Sequence, residues 1–474
     1  MLAVAHAATL AVARPLYQVS DEVVYLSSVQ ARALPGVVGL ARDCVAPPSG
    51  TFPLIPVQLK PGFLQATAWQ LRTLCAGGPW QDWSLAALRL LQSLSFGVLA
   101  ACAWAIAYVL TGRATDAFLA GTIVAMHPVA AIYAGGVTPD AWANALAGAT
   151  MLAATRMLVG VGRWWDTALI VLGPIASVAW KDTTTFLLGV PVLTLALQVG
   201  QARGRAVLAS SRIVLLVTSG GLVAVAGLLW FRTPYALERP SAGGAVPLVV
   251  AIVGDLLPQL PGLLVTSWTA IGNFGASSLA LSPVPVALGA ILAGAGVTGA
   301  CWRVATARPS PSRLAIACLW LASGLACVAQ PSARQVLLDT QDIHQGRWLF
   351  PMLAPAAAFV ACGLNQWTPD HRGLPAWGLG LVSVTWIALV DTMRHFWLTY
   401  PHVLNESALY LRGTGGAELA HGLVLSIVRH FVASMPRGLL LLLPLSLATL
   451  SAICFGLCWA MPRGVVHDRH ADHR

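Results

Sequence analysis

Long apolar runs, separated by short polar turns or by longer stretches rich in proline and glycine, set the pattern of this chain. A helical crossing of a bilayer takes about 20 apolar residues. Runs of that kind fall at about 86–110, 117–136, 141–159, 212–231, 282–302, 314–330, 376–393 and 438–460. Shorter runs at 167–180, 186–199 and 348–363 are needed to keep successive loops on alternating sides. Residues 2–13 (LAVAHAATLAVA) are apolar but short. Small residues precede Arg14, as before a leader cleavage site, yet no basic stretch leads in. They are read as a first span, cut at its start or continuing into the residues that follow. The expected fold is therefore all-α: one polytopic integral-membrane domain over residues 1–474 with about twelve spans.

The loops assign its orientation. With the amino terminus inside, the inner segments are 111–116, 156–166, 200–212, 303–313, 364–376 and the tail 461–474, and they hold 13 Arg. Arginine concentrated in short loops marks the cytoplasmic side. Both termini are expected in the cytoplasm. The outer side receives the large segments 14–84, 232–281, 331–347 and 394–437, which carry short interfacial helices. One stretch, 246–272, is apolar but interrupted by Pro258, Pro261 and Asp255, and is placed in the outer interface rather than across the bilayer. Many of the 18 Trp stand near span ends, as interfacial belts do.

Composition removes whole classes of function. Of 474 residues, 57% are hydrophobic and 10% charged, against about 25% charged in a soluble domain. So few charges cannot coat a water-facing surface. A soluble enzyme, a disordered protein and a nucleic-acid binder are excluded. The net charge of +10 has no basic run behind it. All basic residues except Lys60 and Lys181 are Arg, which reads as GC-rich, bacterial coding. The nine Cys include no C-x-x-C pair, so a zinc or redox framework is not expected. Cys44 and Cys75 share the first outer loop and are suited to a disulfide outside the cell. The tail HDRHADHR reads as a solvated cytoplasmic segment.

Scarcity makes each remaining charge informative. Thirteen of the 18 acids fall on the outer side in this topology. Ser20-Asp21-Glu22 precede an expected helix from Val23 to Leu34, with Ser20 as N-cap and the acids in the first turn. They either start that helix or supply chemistry, as a base, a metal ligand or a stabiliser of transition-state charge. Thr138-Pro139-Asp140 is a helix-start signature, with Thr as N-cap and Pro at N1, and it puts an acid on the same side as Asp21. Trp180-Lys181-Asp182 lies at an outer turn, where Lys181 is either a snorkelling cation or part of a site. Arg347, just before a late span, suits a phosphate or a helix anchor. Arg89 is an ionisable group inside a span.

At these residues the sequence resembles the GT-C superfamily of integral-membrane glycosyltransferases, and most of all a bacterial branch of it. The resemblance is carried by Arg14-Pro15-Leu16-Tyr17-Gln18-Val19-Ser20-Asp21-Glu22, by His127-Pro128 followed by Thr138-Pro139-Asp140, and by His344-Gln345-Gly346-Arg347-Trp348-Leu349-Phe350-Pro351. Val23, Val24 and Tyr25 stand where relatives often carry His. The resemblance implies a polyprenyl-phosphate-sugar donor, a glycan, lipid or protein acceptor of the cell envelope, and inverting transfer on the outer face of the bacterial plasma membrane. It implies Asp21 as catalytic base or metal ligand, with Glu22 second. It places Asp140, Lys181, Arg347, His344 and Arg89 as substrate-binding groups. A divalent metal, Mg or Mn, is left open by it.

Two other readings stand beside this one. A twelve-span transporter would put ionisable groups near span centres and show two matching halves, whereas the acids here gather at outer span ends. A catalytically silent membrane partner in envelope-polymer assembly would keep the same charges.

Overall fold

Helices form wherever the apolar runs are long, and a computed structural model shows how they meet. It describes residues 1–13, 60–74, 84–201, 254, 257–258, 270–274, 277–280, 283–306, 310–338, 346–367, 374–398 and 437–460. In chain order the helices are α1 (Leu2–Ala13), α2 (Pro61–Leu74), α3 (Ser84–Thr111), α4 (Ala114–Ala125), α5 (Pro128–Ala134), α6 (Asp140–Val159), α7 (Trp164–Trp180), α8 (Val190–Gln201), α9 (Pro283–Thr306), α10 (Pro311–Leu338), α11 (Leu353–Leu364), α12 (Leu374–Leu398) and α13 (Arg437–Ala460). Two 3₁₀ helices, Asp182–Gly189 and Gly346–Met352, lead into α8 and α11. One feature departs from all-α: strands β1 (Ala270–Phe274) and β2 (Ser277–Ala280) pair antiparallel as a hairpin.

The chain is a polytopic membrane protein. Among the described residues, five helical segments are long and apolar enough to cross a bilayer: Ala86–Thr111, Asp182–Gln201, Pro283–Thr306, Pro311–Gln330 and Pro375–Thr392. A sixth counts if the bent pair α4–α5 is one span. Shorter apolar helices cover Leu2–Val12, Trp164–Trp180, Leu349–Leu364 and Leu442–Leu457. The expected span at 117–136 is broken, and the helix at the expected span 141–159 is not among the apolar spans. The run at 117–136 breaks after Ala125, because Pro128 has no N–H to continue the ladder, and the two pieces meet at 63°. Helix α6 is 20 residues long but not among the apolar spans, and 14 of its residues are buried. A helix enclosed by protein has no need of a lipid-facing side, so Asp140, Asn144, Thr150 and Thr155 are tolerated along it. Two loops are also shorter than expected, since α10 runs on to Leu338 and α12 to Leu398. The expected span at 212–231, most of 246–272, the helix at 23–34, Cys44, Cys75 and the tail from 461 lie outside the described residues.

The bend is held by its neighbours. The His6 Nδ1–H on α1 donates to the Ala125 carbonyl at 2.9 Å, and the Thr385 hydroxyl on α12 donates to the Met126 carbonyl at 3.1 Å. The His127 side chain accepts from the Ala130 N–H at 3.2 Å. In a membrane an unsatisfied backbone group costs several kcal/mol, so side chains of flanking helices stand in where the ladder is cut.

Contacts along the helices fix which ends lie together. Ala11 meets Arg89 and Val4 meets Gly97, so α1 and α3 run antiparallel. Gly135 lies against Ala7 and Ala11, which brings the start of α6 to the same end as the start of α3. Helices α6 and α7 form an antiparallel hairpin about Gly160, whose φ of +89° makes a left-handed cap that favours glycine. The opposite end is tied by Asn365, whose side-chain amide donates to Asp116, and by Arg156, whose Nε donates to Asp166 at 3.1 Å.

Lipid tails offer no hydrophobic drive between spans, so close packing of small residues has to hold them. The α9–α11 seam shows this most sharply. A Cβ on Gly363 would fall 1.7 Å from the Gly296 carbonyl oxygen, and one on Gly299 would fall 2.1 Å from the Gly363 oxygen. Gly363→Ala must push the two backbones apart. It is expected to cost at least 1–3 kcal/mol, roughly the penalty for overpacking, read as a lower thermal midpoint of the detergent-solubilised protein. An unchanged midpoint would contradict this seam.

Candidate functional site

Charge collects at the end where α3 and α6 begin. Helix α6 opens at Asp140 after a turn in which the Thr138 hydroxyl donates to the Tyr133 carbonyl at 3.2 Å. The expected capping roles are corrected here. Pro139 is the N-cap residue, with no side-chain cap bond, and Asp140 is the first helical residue. Helix α7 ends at Trp180, and Lys181 follows in extended backbone, φ −151° and ψ 132°. Its carbonyl accepts from the Thr184 hydroxyl at 2.7 Å. That local bond fixes the turn from α7 into the 3₁₀ helix.

The turn aims Lys181 back along the hairpin, and its ammonium pairs with the Asp140 carboxylate. Both side chains are buried, with 9% and 2% of their surfaces exposed. Lys181 therefore does not snorkel to water. The pairing follows from the register of the hairpin. Arg156 and Asp166, Thr150 and Gly173, Ala143 and Ser177, and Asp140 and Lys181 all touch, each pair about equally far on either side of Gly160. Opposite charges mirrored about that glycine turn are the sequence signal that identifies the pair.

A second ion pair lies beside the first. Lys60, just before α2, stands 3.9 Å from Asp182 and is more exposed. Helix α2 is held there by Phe63, whose ring meets Trp180 edge-on at 6.0 Å, and by Gly62, where a Cβ would fall 2.8 Å from the Ala179 oxygen. The Gln330 side-chain amide of α10 donates to the Asp182 carbonyl at 2.8 Å. Lys60, Asp182 and Gln330 are not among the site residues expected from the sequence. Lys60 is one of only two Lys, which is a usable signal; nothing local to Gln330 announces its role.

Arg89 is completely buried on α3, not snorkelled, and its Nη1 donates to the Ala11 carbonyl at 3.1 Å. The second 3₁₀ helix, which contains Arg347, packs against α5, α6 and α10. Phe350 fixes it there by ring contacts with His127 at 5.4 Å and Tyr133 at 6.1 Å. Of the expected site residues, Asp140, Lys181 and Arg89 thus share one end of the bundle, and the backbone of Arg347 belongs to an element packed on the same helices. Asp21, Glu22 and His344 lie outside the described residues.

Chemically, this end offers a shielded carboxylate already matched to an ammonium, a buried guanidinium and a second lysine. Such cations suit negative charge on a ligand, since a low-dielectric surround strengthens the attraction. A metal is less well served. Among the described residues no three His, Cys, Asp or Glu side chains gather to hold one, and Asp140 is committed to Lys181.

No protein-family model and no curated protein matches the chain. Among solved structures, it is similar to ArnT from Cupriavidus metallidurans bound to undecaprenyl phosphate, at 14% identity over 91% of this chain and 75% of that one, with a TM-score of 0.43. The apo state of ArnT from Cupriavidus metallidurans gives 14% identity over 95% and 75%, with a TM-score of 0.39. Likeness at this level carries no weight for fold or function.

Removing one partner of a buried ion pair leaves a charge uncompensated, a cost of roughly 3–5 kcal/mol. Asp140→Asn and Lys181→Met are each expected to lower thermal stability on that scale. The Asp140→Asn/Lys181→Met double variant should recover most of the loss. Equal, additive losses would mean that the two side chains are not coupled.

Proposed function

We propose that the chain is a multi-pass glycosyltransferase of the GT-C kind. In this reading it moves a sugar from a polyprenyl-phosphate donor to an envelope glycan, lipid or protein acceptor, with inversion, on the outer face of the bacterial plasma membrane. The observation that carries the reading is the buried Lys181–Asp140 pair at the same end of a lipid-embedded bundle as Arg89 and Lys60. A lipid-phosphate donor cannot leave the bilayer, so a cationic site at the end of the spans is where its headgroup would come. The orientation rests on arginine: Arg113, Arg156, Arg163, Arg303 and Arg313 belong to the opposite end, which the positive-inside rule makes cytoplasmic. The full complement of twelve spans is part of the same proposal.

The reaction divides among the residues as follows. The acceptor hydroxyl oxygen attacks the anomeric carbon as the bond from that carbon to the phosphate oxygen breaks. The acceptor proton passes to a carboxylate, and the electron pair of the broken bond leaves on the phosphate. Lys181 and Arg347 offset the growing charge of the leaving phosphate, with Arg89 and His344 as further contacts. Asp140 is occupied by Lys181 and serves to position it. The resemblance gives the base as Asp21, with Glu22 second. Asp21 follows Ala13 by eight residues, at most about 26–29 Å of chain, and Ala13 closes α1 two residues beyond Ala11, the contact of Arg89.

A transporter remains the second reading, because the broken helix α4–α5 is a device of transporter sites. A catalytically silent partner in envelope-polymer assembly is the third. The three separate in one set of assays on reconstituted protein. Release of undecaprenyl phosphate from undecaprenyl-phosphate sugars, with sugar appearing on an acceptor, is expected of the enzyme. Asp21→Asn should reduce turnover by about 10²–10⁴, the usual contribution of a general base, with membrane insertion intact. Uptake without turnover would favour transport, and neither would favour the silent partner. Full turnover by Asp21→Asn would remove Asp21 from its role.

A further inference from the structure

Within the bundle, a fully buried amide makes no use of its polar atoms. Gln92 on α3 has no exposed surface, and neither its Oε1 nor its Nε2 has a hydrogen-bond partner. Buried amides are almost always bonded, because an unmade bond costs the full desolvation of the group. An amide with both ends idle therefore needs a reason.

Its position supplies one. Helices α3 and α6 start at the same end and run parallel, packed along their length. Their level is fixed where a Cβ on Gly148 would meet Leu99 at 2.9 Å and Cys102 at 3.4 Å. Two helical turns are about seven residues. Two turns back on that face of α3 from Leu99 is Gln92, and two turns back on α6 from Gly148 is Ala141, next to Asp140. Gln92 thus faces α6 at the level of Ala141, the residue after Asp140, and lies one turn from Arg89 on its own helix. Other polar atoms without partners at this end include the Thr67 hydroxyl on α2, the Gln330 Oε1 on α10 and the indole N–H of Trp180, the residue before Lys181.

We infer that Gln92 is a sugar-recognition residue, its amide reserved for hydroxyl groups of the ligand that reaches the Asp140–Lys181 pair. The chemistry selects the ligand class. An amide offers two donors and an acceptor, and a hydroxyl both donates and accepts, so a polyhydroxylated ring satisfies both ends. A phosphate only accepts and is better met by Lys181 and Arg89. The inference rests on the proposed donor, and it divides the site between the cations, which take the phosphate, and Gln92, which takes the sugar.

The test separates the two halves of the donor. Wild type, Gln92→Leu and Gln92→Asn are reconstituted in nanodiscs and titrated with undecaprenyl phosphate and with undecaprenyl-phosphate glucose, galactose, mannose and xylose. Wild type is expected to hold at least one sugar form more tightly than undecaprenyl phosphate. Gln92→Leu should weaken that form about tenfold or more, the value of a lost hydrogen-bond pair, and leave undecaprenyl phosphate unchanged. Gln92→Asn should retain part of the preference. Without ligand, Gln92→Leu should melt no lower than wild type, because it removes an idle amide. A markedly lower ligand-free midpoint, equal weakening of both ligand types, or no weakening of either overturns the inference. If wild type binds none of the undecaprenyl ligands, the donor reading fails instead. Saturation-transfer NMR with the methyl glycosides of the four sugars then decides the subsite. A transfer signal present in wild type and abolished by Gln92→Leu supports it; a signal that Gln92→Leu leaves unchanged, or no signal in wild type, overturns it.

Discussion

Taking Asp140 and Lys181 out of water together is the constraint around which this end of the bundle is arranged. Neither charge is tolerable alone in a low-dielectric interior, so each fixes the other. The pair locks the register of the α6–α7 hairpin at its open end, while Gly160 closes the other. With that register set, the chain after α7 must turn at Lys181, and the turn delivers Asp182 to Lys60 and to Gln330. Three separate stretches, those of α2, α7 and α10, are brought together by the consequences of one contact.

The opposite strategy operates at the break between α4 and α5. There the difficulty is backbone, not charge, and it is met by neutral groups from two other helices, His6 and Thr385. The bend lets α5 pass beside α1, with Gly135 against Ala7 and Ala11. It also places His127 and Tyr133 where Phe350 packs on them. The element that contains Arg347 is therefore positioned by a helix break on the far side of the chain in sequence.

Much of this fold is legible in the amino-acid sequence. Apolar runs mark most helices, since a bilayer leaves few alternatives to a long apolar helix. The turn at Thr138-Pro139-Asp140 is legible as a helix start, though the capping roles are not. The run at 141–159 passes for a lipid-facing span, because periodicity does not say whether a helix meets lipid or protein. The bend after Ala125 is hidden for a similar reason: Pro128 signals a disturbance, but its angle depends on donors that come from α1 and α12. Asp140 and Lys181 are each visible as rare charges in an apolar chain. Their pairing depends on hairpin register, which the glycine turn encodes but a residue-by-residue reading does not. Gln92 is invisible, being an ordinary polar residue in a long apolar run until its lack of partners is seen.

The polar interior thus contains two kinds of group, and the difference between them assigns their roles. The Ala125 and Met126 carbonyls at the break each have a donor, so the backbone there is complete as structure. Near Asp140 the charges are matched to one another but Gln92, Thr67 and Trp180 keep idle polar atoms. An amide without protein partners is costly to bury, and a ligand that brings hydroxyl groups offsets that cost. The same logic frees Asp140 from service as a proton acceptor: a carboxylate that holds Lys181 in place cannot give up that bond without stranding a buried cation. In the proposed reaction the acceptor proton then goes to another carboxylate. Asp182 at this end is paired with Lys60, and the resemblance to GT-C glycosyltransferases gives the role to the Asp21-Glu22 pair that follows α1 in the sequence.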